Sequence, residues 1–405
     1  MFTEQNKNKR GEAIIIILIL FVFAVVIGEM TKENKYLYKV NTEQQNGAQK
    51  MKDAQKTGQN NKTEQKKDMP VSNKEKETTK NTSGKTTTDN TPKTIQKMAE
   101  QEPMSGFEII KNLFQPEEKK ISFEEINKNV RAAMVNILCT TKSGGYLNPL
   151  SGSGIIIDAK GVILTNAHVA QYFLLKDYST ADFITCAIRT GSPTKPAYKA
   201  VPIYISEQWI KNNYKNITQD NYSESGESDY ALLLITEMTD KELNLPQTFN
   251  YIDYETENLS INLDESMIIA GYPAGFLGGI TIQKDLYLTA TIEQVLNLYT
   301  FGQNTLDLIS LGGTILAQKG TSGGAVVNSK NKLVAVAVTS TNELVTNKRD
   351  LRAITVSHIN RSLTAELGVG LKEFLSINPL LLVEMFEKNK APLLKEYLAK
   401  ALERN

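Results

Sequence analysis

From Met134 to Val356 the chain alternates short apolar runs with clusters of Gly, Asn, Asp and Ser. Runs of this length, rich in Val, Ile and Leu and bounded by turn formers, read as β-strands. The first set is Met134 to Thr141, Gly152 to Asp158, Gly161 to Thr165, Phe183 to Arg189, Tyr198 to Ile205 and Asp229 to Thr236. The second is Ser266 to Tyr272, Leu286 to Leu298, Thr305 to Leu311, Ala325 to Asn328, Leu333 to Ser340 and Leu351 to Val356. The stretch Leu286-Tyr287-Leu288-Thr289-Ala290-Thr291-Ile292 alternates with the period of a strand that buries one face. So many short strands predict a mainly β fold, a barrel or a sandwich.

Helical spacing flanks the strands. Ser122 with Glu125 forms a capping-box pattern, which predicts a short helix with Phe123, Ile126, Val130 and Ala133 on one face. At the other end, Asn378-Pro379 and Ala391-Pro392 place proline in a first helical turn. Leu393, Leu394, Tyr397, Leu398, Ala401 and Leu402 then recur at helical spacing. Two or three amphipathic helices are therefore expected over residues 366–405, packed on the strand-rich region. Between the two ends, Ser206 to Ser228 is polar apart from Trp209 and a few others, and reads as a surface loop. Its place just before Asp229 puts it at the rim of any site built there.

The amino terminus follows a different pattern. Residues 13–28 are apolar up to the closing Gly28, and Lys7, Lys9 and Arg10 precede them. A basic flank before an apolar run reads as a membrane-directed segment with its amino terminus inside. We expect residues 1–12 to be a cytoplasmic flank and 13–30 a single-pass anchor, with a cleaved signal peptide and secretion as the alternative. Residues 31–104 are mostly Lys, Gln, Thr, Asn and Glu, too polar to offset chain entropy by burial. They are expected to form a disordered tether, leaving 105–365 as the main domain.

Composition narrows the function. A net charge of +1 over 405 residues gives no reason to invoke nucleic acid. Two cysteines and two histidines, scattered, do not make a zinc pattern. Neither metal nor cofactor is expected, and any imidazole chemistry must use His168 or His358.

The candidate chemistry lies in three stretches. Gly320-Thr321-Ser322-Gly323-Gly324 sets a serine between glycines, which lets the backbone turn sharply and leaves the hydroxyl accessible. The amides of Gly320 and Ser322 are then free to converge as an oxyanion hole. Upstream, Thr165-Asn166-Ala167-His168-Val169-Ala170 follows an apolar strand, and Ser228-Asp229-Tyr230 heads another. A serine hydroxyl needs an adjacent base. His168 supplies one near neutral pH, and Asp229 would orient it.

In this order, and together with Ser153-Gly154-Ile155-Ile156-Ile157-Asp158 and Ala270-Gly271-Tyr272-Pro273, the region from about Ser122 to Ala365 resembles a trypsin-like serine protease of the bacterial Htr type. The resemblance implies two six-stranded antiparallel β-barrels, at about 133–240 and 250–358, with a cleft between them. It implies His168, Asp229 and Ser322 as triad, an acyl-enzyme intermediate, polypeptide substrates and an extracytoplasmic domain; a homo-oligomer stays open. It places the first side-chain pocket among Thr314 to Lys319 and Val338 to Thr341, so Leu316, Lys319, Thr339 and Ser340 are the candidate substrate contacts. No carboxylate lies in either span, which points away from Lys or Arg and towards small or medium apolar side chains. Gln318-Lys319 stands where the family often has Asn-Pro, and family members often rest with a disordered oxyanion loop. The residues after 365 are too few for the PDZ domain many Htr-type proteases carry. In the resembling fold the strands of Cys139 and Cys186 are neighbours, which admits a disulfide; buried free thiols fit equally.

Two other functions compete. Ser322, Asp350 and His358 occur in α/β-hydrolase order, although only 36 residues separate Ser322 from His358 and no strand–helix repeats surround them. The other is a catalytically inactive relative that holds peptides as a scaffold of the cell envelope.

Overall fold

The computed structural model describes residues 121–142, 147–219, 225–257, 261–302, 304–340 and 345–403. The expected membrane segment and tether, over 13–30 and 31–104, lie outside the described residues. Among the described residues no helix is long and apolar enough to cross a membrane.

The chain enters through helix α1 (Phe123–Ala133), where the Ser122 hydroxyl accepts from Glu125 N–H at 3.1 Å, as the capping box predicts. Ile126, Val130 and Ala133 are buried, but Phe123 is 37% exposed: in the first turn it points off the packed face. Six strands follow: β1 (Met134–Thr141), β2 (Leu150–Asp158), β3 (Val162–Thr165), β4 (Ile184–Gly191), β5 (Thr194–Ile205) and β6 (Ala231–Met238). They close into a barrel in the order β1-β2-β3-β6-β5-β4, the six expected strands with shifted ends. Closure leaves no unpaired edge. Cys139 of β1 and Cys186 of β4 are cross-strand partners and form a disulfide.

The second set corrects the expectation. Strands β7 (Ser266–Gly271), β8 (Thr289–Gln294), β9 (Asn297–Tyr299), β10 (Leu308–Ser310), β11 (Ala325–Val327), β12 (Leu333–Ser340) and β13 (Leu351–Thr355) form a seven-stranded sheet, ordered β8-β7-β11-β12-β13-β10-β9. It is not a closed six-stranded barrel. The single strand expected over 286–298 divides. Residues 286–288 turn to the first barrel, where Leu286 C=O accepts from Thr194 N–H at 2.8 Å and Leu288 N–H donates to Ser192 Oγ at 3.1 Å. The rest breaks at Val295–Leu296 into β8, laddered to β7, and β9, laddered to β10. The sheet curls until its two edges are consecutive in the chain, joined covalently and not by a ladder.

The polar stretch 206–228 is also corrected. It is not a plain surface loop but carries helix α3 (Glu207–Asn213) and a 3-10 turn (Tyr214–Thr218), after helix α2 (Ala167–Leu174). Ser206 caps α3 by accepting from Trp209 N–H, and Trp209, Ile210 and Ile217 are buried. A short helix α4 (Gly279–Lys284) lies between β7 and β8, and its last carbonyls, Ile282 and Gln283, accept from buried Arg189 at 2.9 and 3.0 Å. Burial lowers the Arg189 pKa, opposed by Tyr272. The chain ends in α5 (Val356–Leu367), α6 (Leu371–Ser376), α7 (Pro379–Asn389) and α8 (Ala391–Leu402). Leu382, Phe386, Leu394, Leu398 and Ala401 face inward, and α7 packs on β5.

Candidate active site

The first barrel supplies an imidazole and a carboxylate. β3 ends at Thr165, Asn166 stands at the N-cap position of α2 without a side-chain cap bond, and His168 falls in the first helical turn. A backbone N–H there has no partner within the helix. The His168 N–H donates to Asp229 Oδ1 at 3.0 Å, while its Nδ1 lies 2.7 Å from Oδ2. One carboxylate therefore grips both the backbone and the ring of the same histidine. A carboxylate only accepts, so Nδ1 carries a proton, and in the neutral ring Nε2 holds the lone pair. Asp229 is 0% exposed and the His168 side chain 13%. Ser228, at φ +58°, turns the chain just before Asp229, and Asn166 Nδ2 donates to Asp229 C=O at 2.8 Å.

The second sheet supplies the serine, on the turn before β11. Ser322 C=O accepts from Ser153 N–H at 2.7 Å, and Thr165 Oγ1 donates to Ser153 C=O at 2.7 Å. Gly323 has φ +84°, and a Cβ there would lie 1.9 Å from Ser153 O and 2.6 Å from Thr165 Oγ1. The Ser322 turn is thus seated on Ser153 of β2 and on Thr165 at the end of β3, three positions before His168. Only glycine permits that approach.

The backbone donors are set by the residues behind them. Lys319 C=O accepts from Ala274 N–H at 2.8 Å. A trans peptide points its C=O and N–H in opposite directions, so Gly320 N–H faces away from Ala274. Gly320 has φ +93°, and a Cβ would meet Tyr272 O at 2.5 Å. Its C=O accepts from Ser153 Oγ at 2.7 Å, and the same Oγ accepts from Tyr272 N–H at 2.9 Å. Among the described residues neither Gly320 N–H nor Ser322 N–H donates a hydrogen bond. Ser153 and the Tyr272 stretch were visible in the sequence as motifs without a role. Together they form the mount of this loop, and Ser153 contacts both Gly320 and Ser322, the expected oxyanion pair.

Of the candidate substrate contacts, Leu316 is fully buried with the second core, and its neighbour Ile315 is 59% exposed. Lys319 is exposed. Thr339 and Ser340 lie on β12, opposite Arg352 and Leu351, with side chains outside the described part. The bend before Asp229 abuts the same strand: a Cβ on Gly226 would sit 2.8 Å from Val338 Cγ2.

The α/β-hydrolase arrangement does not assemble. His358 Nδ1 is 3.0 Å from Asp307 Oδ1, and Asp350 accepts from Arg352 at 2.8 Å and from Ser310. Burial pulls the His358 pKa down against the pull of Asp307. Burial alone would raise Asp307, but Phe301 N–H, the Thr305 hydroxyl, His358 and Arg361 hold it well below the usual carboxylate range. This second pair lacked any sequence signal, since Asp307 sits in no motif. Among the described residues no group of three or more His, Cys, Asp or Glu is placed to hold a metal.

Residues 152–336 match the family model described as a trypsin-like peptidase domain. Among solved structures, the chain is similar to the Rv3671c protease of M. tuberculosis in its active form, at 16% identity over 60% of this chain and 84% of that one, with a TM-score of 0.36. It is also similar to the serine endoprotease of Yersinia pestis, at 17% identity over 61% of this chain and 66% of that one, with a TM-score of 0.37. No curated protein matches the chain.

Proposed function

Starting from a trypsin-like peptidase domain over residues 152–336, we propose that this protein is a serine endopeptidase of the Htr type with His168, Asp229 and Ser322 as its triad. The observation that carries the reading is the 2.7 Å contact of His168 Nδ1 with a fully buried Asp229, which leaves Nε2 as a base. His168 takes the Ser322 proton as the hydroxyl attacks a peptide carbonyl, and Asp229 stabilises the imidazolium that forms. The carbonyl oxygen becomes an oxyanion held by Gly320 N–H and Ser322 N–H. Collapse of that intermediate breaks the C–N bond, and the His168 proton passes to the leaving amine. The resulting acyl-enzyme is hydrolysed by water through the same steps. The orientation of the Lys319–Gly320 peptide supports a hole that is already formed and not latent.

Lys319 and the β12 residues Thr339 and Ser340 border the first side-chain pocket in this reading, and the absence of a carboxylate from both spans favours small or medium apolar side chains. The domain works outside the cytoplasm, tethered to the membrane. The Cys139–Cys186 disulfide supports that compartment, as does the basic flank before the apolar run.

A fluorophosphonate probe is expected to label the protein at Ser322 and to leave Ser322→Ala unlabelled. His168→Ala abolishes turnover while His358→Ala keeps it. Absence of labelling at neutral pH in the native protein would leave only a peptide-holding module.

A further inference from the structure

The triad motifs say nothing of what supports His168 besides Asp229. In the structure Trp209, the single tryptophan of the chain, packs beside the imidazole. It is 1% exposed, with ring centroids 6.4 Å apart and planes inclined at 46°. The helix that carries it, α3, has only 7 residues. A helix so short does not persist without packing.

The packing comes from the carboxy terminus. Helix α8 lies against both α3 and the 3-10 turn that follows it. The Tyr397 ring is 5.4 Å from that of Tyr214. At the corner between α7 and α8, Lys390 Nζ is 2.6 Å from Glu207 Oε2, in the first turn of α3. The same ammonium is 4.0 Å from Glu366 Oε1, and Tyr204 Oη donates to Glu366 Oε2 at 2.7 Å. Tyr204 Oη in turn meets Tyr230 Oη at 3.0 Å, one residue beyond Asp229. Two chains of contacts thus run from the last helices to the histidine–carboxylate pair, one through an indole and one through stacked tyrosines.

We propose that Trp209 is a positioning residue for His168, and that the carboxy-terminal helices are the brace that holds it in place. The proposal rests on His168 being the general base. Asp229 anchors one edge of the imidazole, and a ring held at one edge rocks about it. The buried indole limits that rocking, so Nε2 stays aimed. Displacement of a catalytic group by about 1 Å costs up to roughly a hundredfold in rate. The helices after residue 365 therefore take part in the chemistry of the barrel without touching substrate.

The test uses the full chain with a fluorophosphonate and a peptide ester. Wild-type labelling comes first; if Ser322 is not labelled, the peptidase reading fails and the brace is not at issue. With wild type active, Trp209→Ala is expected to lower kcat by about tenfold or more, with KM little changed, at a temperature where it is folded. Trp209→Phe recovers most of the loss. Lys390→Met, which cuts the tie at the helix corner and removes no buried volume, lowers kcat in the same direction. Wild-type kcat in folded Trp209→Ala overturns the proposal. If that variant does not fold, wild-type kcat in Lys390→Met overturns it.

Discussion

A single hydroxyl carries much of the geometry at the junction of the two β lobes. Ser153 uses its N–H, its C=O and both roles of its Oγ, and the four bonds reach Ser322, Thr165, Gly320 and Tyr272. Ser153→Ala removes the two bonds of the hydroxyl and leaves Gly320 C=O and Tyr272 N–H buried without that partner. Each such group costs about 1–3 kcal/mol. We expect a lower melting temperature and a kcat reduced by about ten- to a hundredfold as the loop loosens, read by calorimetry and steady-state kinetics. Gly320 is less forgiving. Any Cβ at φ +93° is strained and meets Tyr272 O, so Gly320→Ala displaces the proposed oxyanion donor itself. Loss of an oxyanion donor costs about 2.7–4 kcal/mol in the barrier. Gly320 and Ser322 stand out in the sequence as candidates because Gly-x-Ser-Gly is local. The sequence shows no role for Ser153, whose partners lie up to 169 positions away at Ser322.

At the level of elements, β1 and β4 close the first barrel and also carry its one disulfide, with 47 positions between the cysteines. Closing a loop of that length removes on the order of 4 kcal/mol of unfolded-state entropy. That is an upper figure, because structure retained in the reduced unfolded chain lowers the entropy there is to remove. Reduction is expected to lower the urea midpoint while leaving the barrel folded at room temperature, and Cys139→Ala with Cys186→Ala should reproduce the shift. A midpoint unchanged by reductant would mean the thiols are free. Strand positions were legible because burial on one face imposes a period of two along the chain. The split of 286–298 was not, since its cause is the hydrogen bonding of Leu286 and Leu288 to the other lobe. Nor was α3, whose only apolar residues, the adjacent Trp209 and Ile210, are too few to show a helical period; its helical state depends on the elements packed beside it.

For the whole molecule, stability against acid follows from groups outside the proposed triad. The Asp307 pKa is lowered in the folded state. Its contribution is full above the unfolded carboxylate value near 3.9 and is lost as pH falls through the depressed folded value. His358 is lowered as well, so below about pH 6.5 the unfolded chain takes up a proton that the folded one resists. Both effects have the same sign, and stability falls on acidification. The His358 part begins first, and its position in the first turn of α5 adds to it, since a helix amino terminus disfavours an imidazolium. The urea midpoint should fall from pH 7 towards pH 5, and His358→Gln should flatten that slope. An unchanged slope in the variant would assign it elsewhere.

The sequence alone determined what depends on neighbours along the chain: the short strands, the caps at Ser122 and Asn378, the glycines about Ser322, and the three stretches bearing an imidazole, a carboxylate and a hydroxyl. Only the tertiary structure decided which residues meet. It paired His168 with Asp229 and His358 with Asp307, seated the serine turn on Ser153 and Thr165, joined Cys139 to Cys186, and laid Trp209 beside His168. The physical reason is range. Backbone preference and side-chain periodicity act over a few residues, whereas hydrogen bonds and packing between distant segments depend on how the whole chain closes on itself.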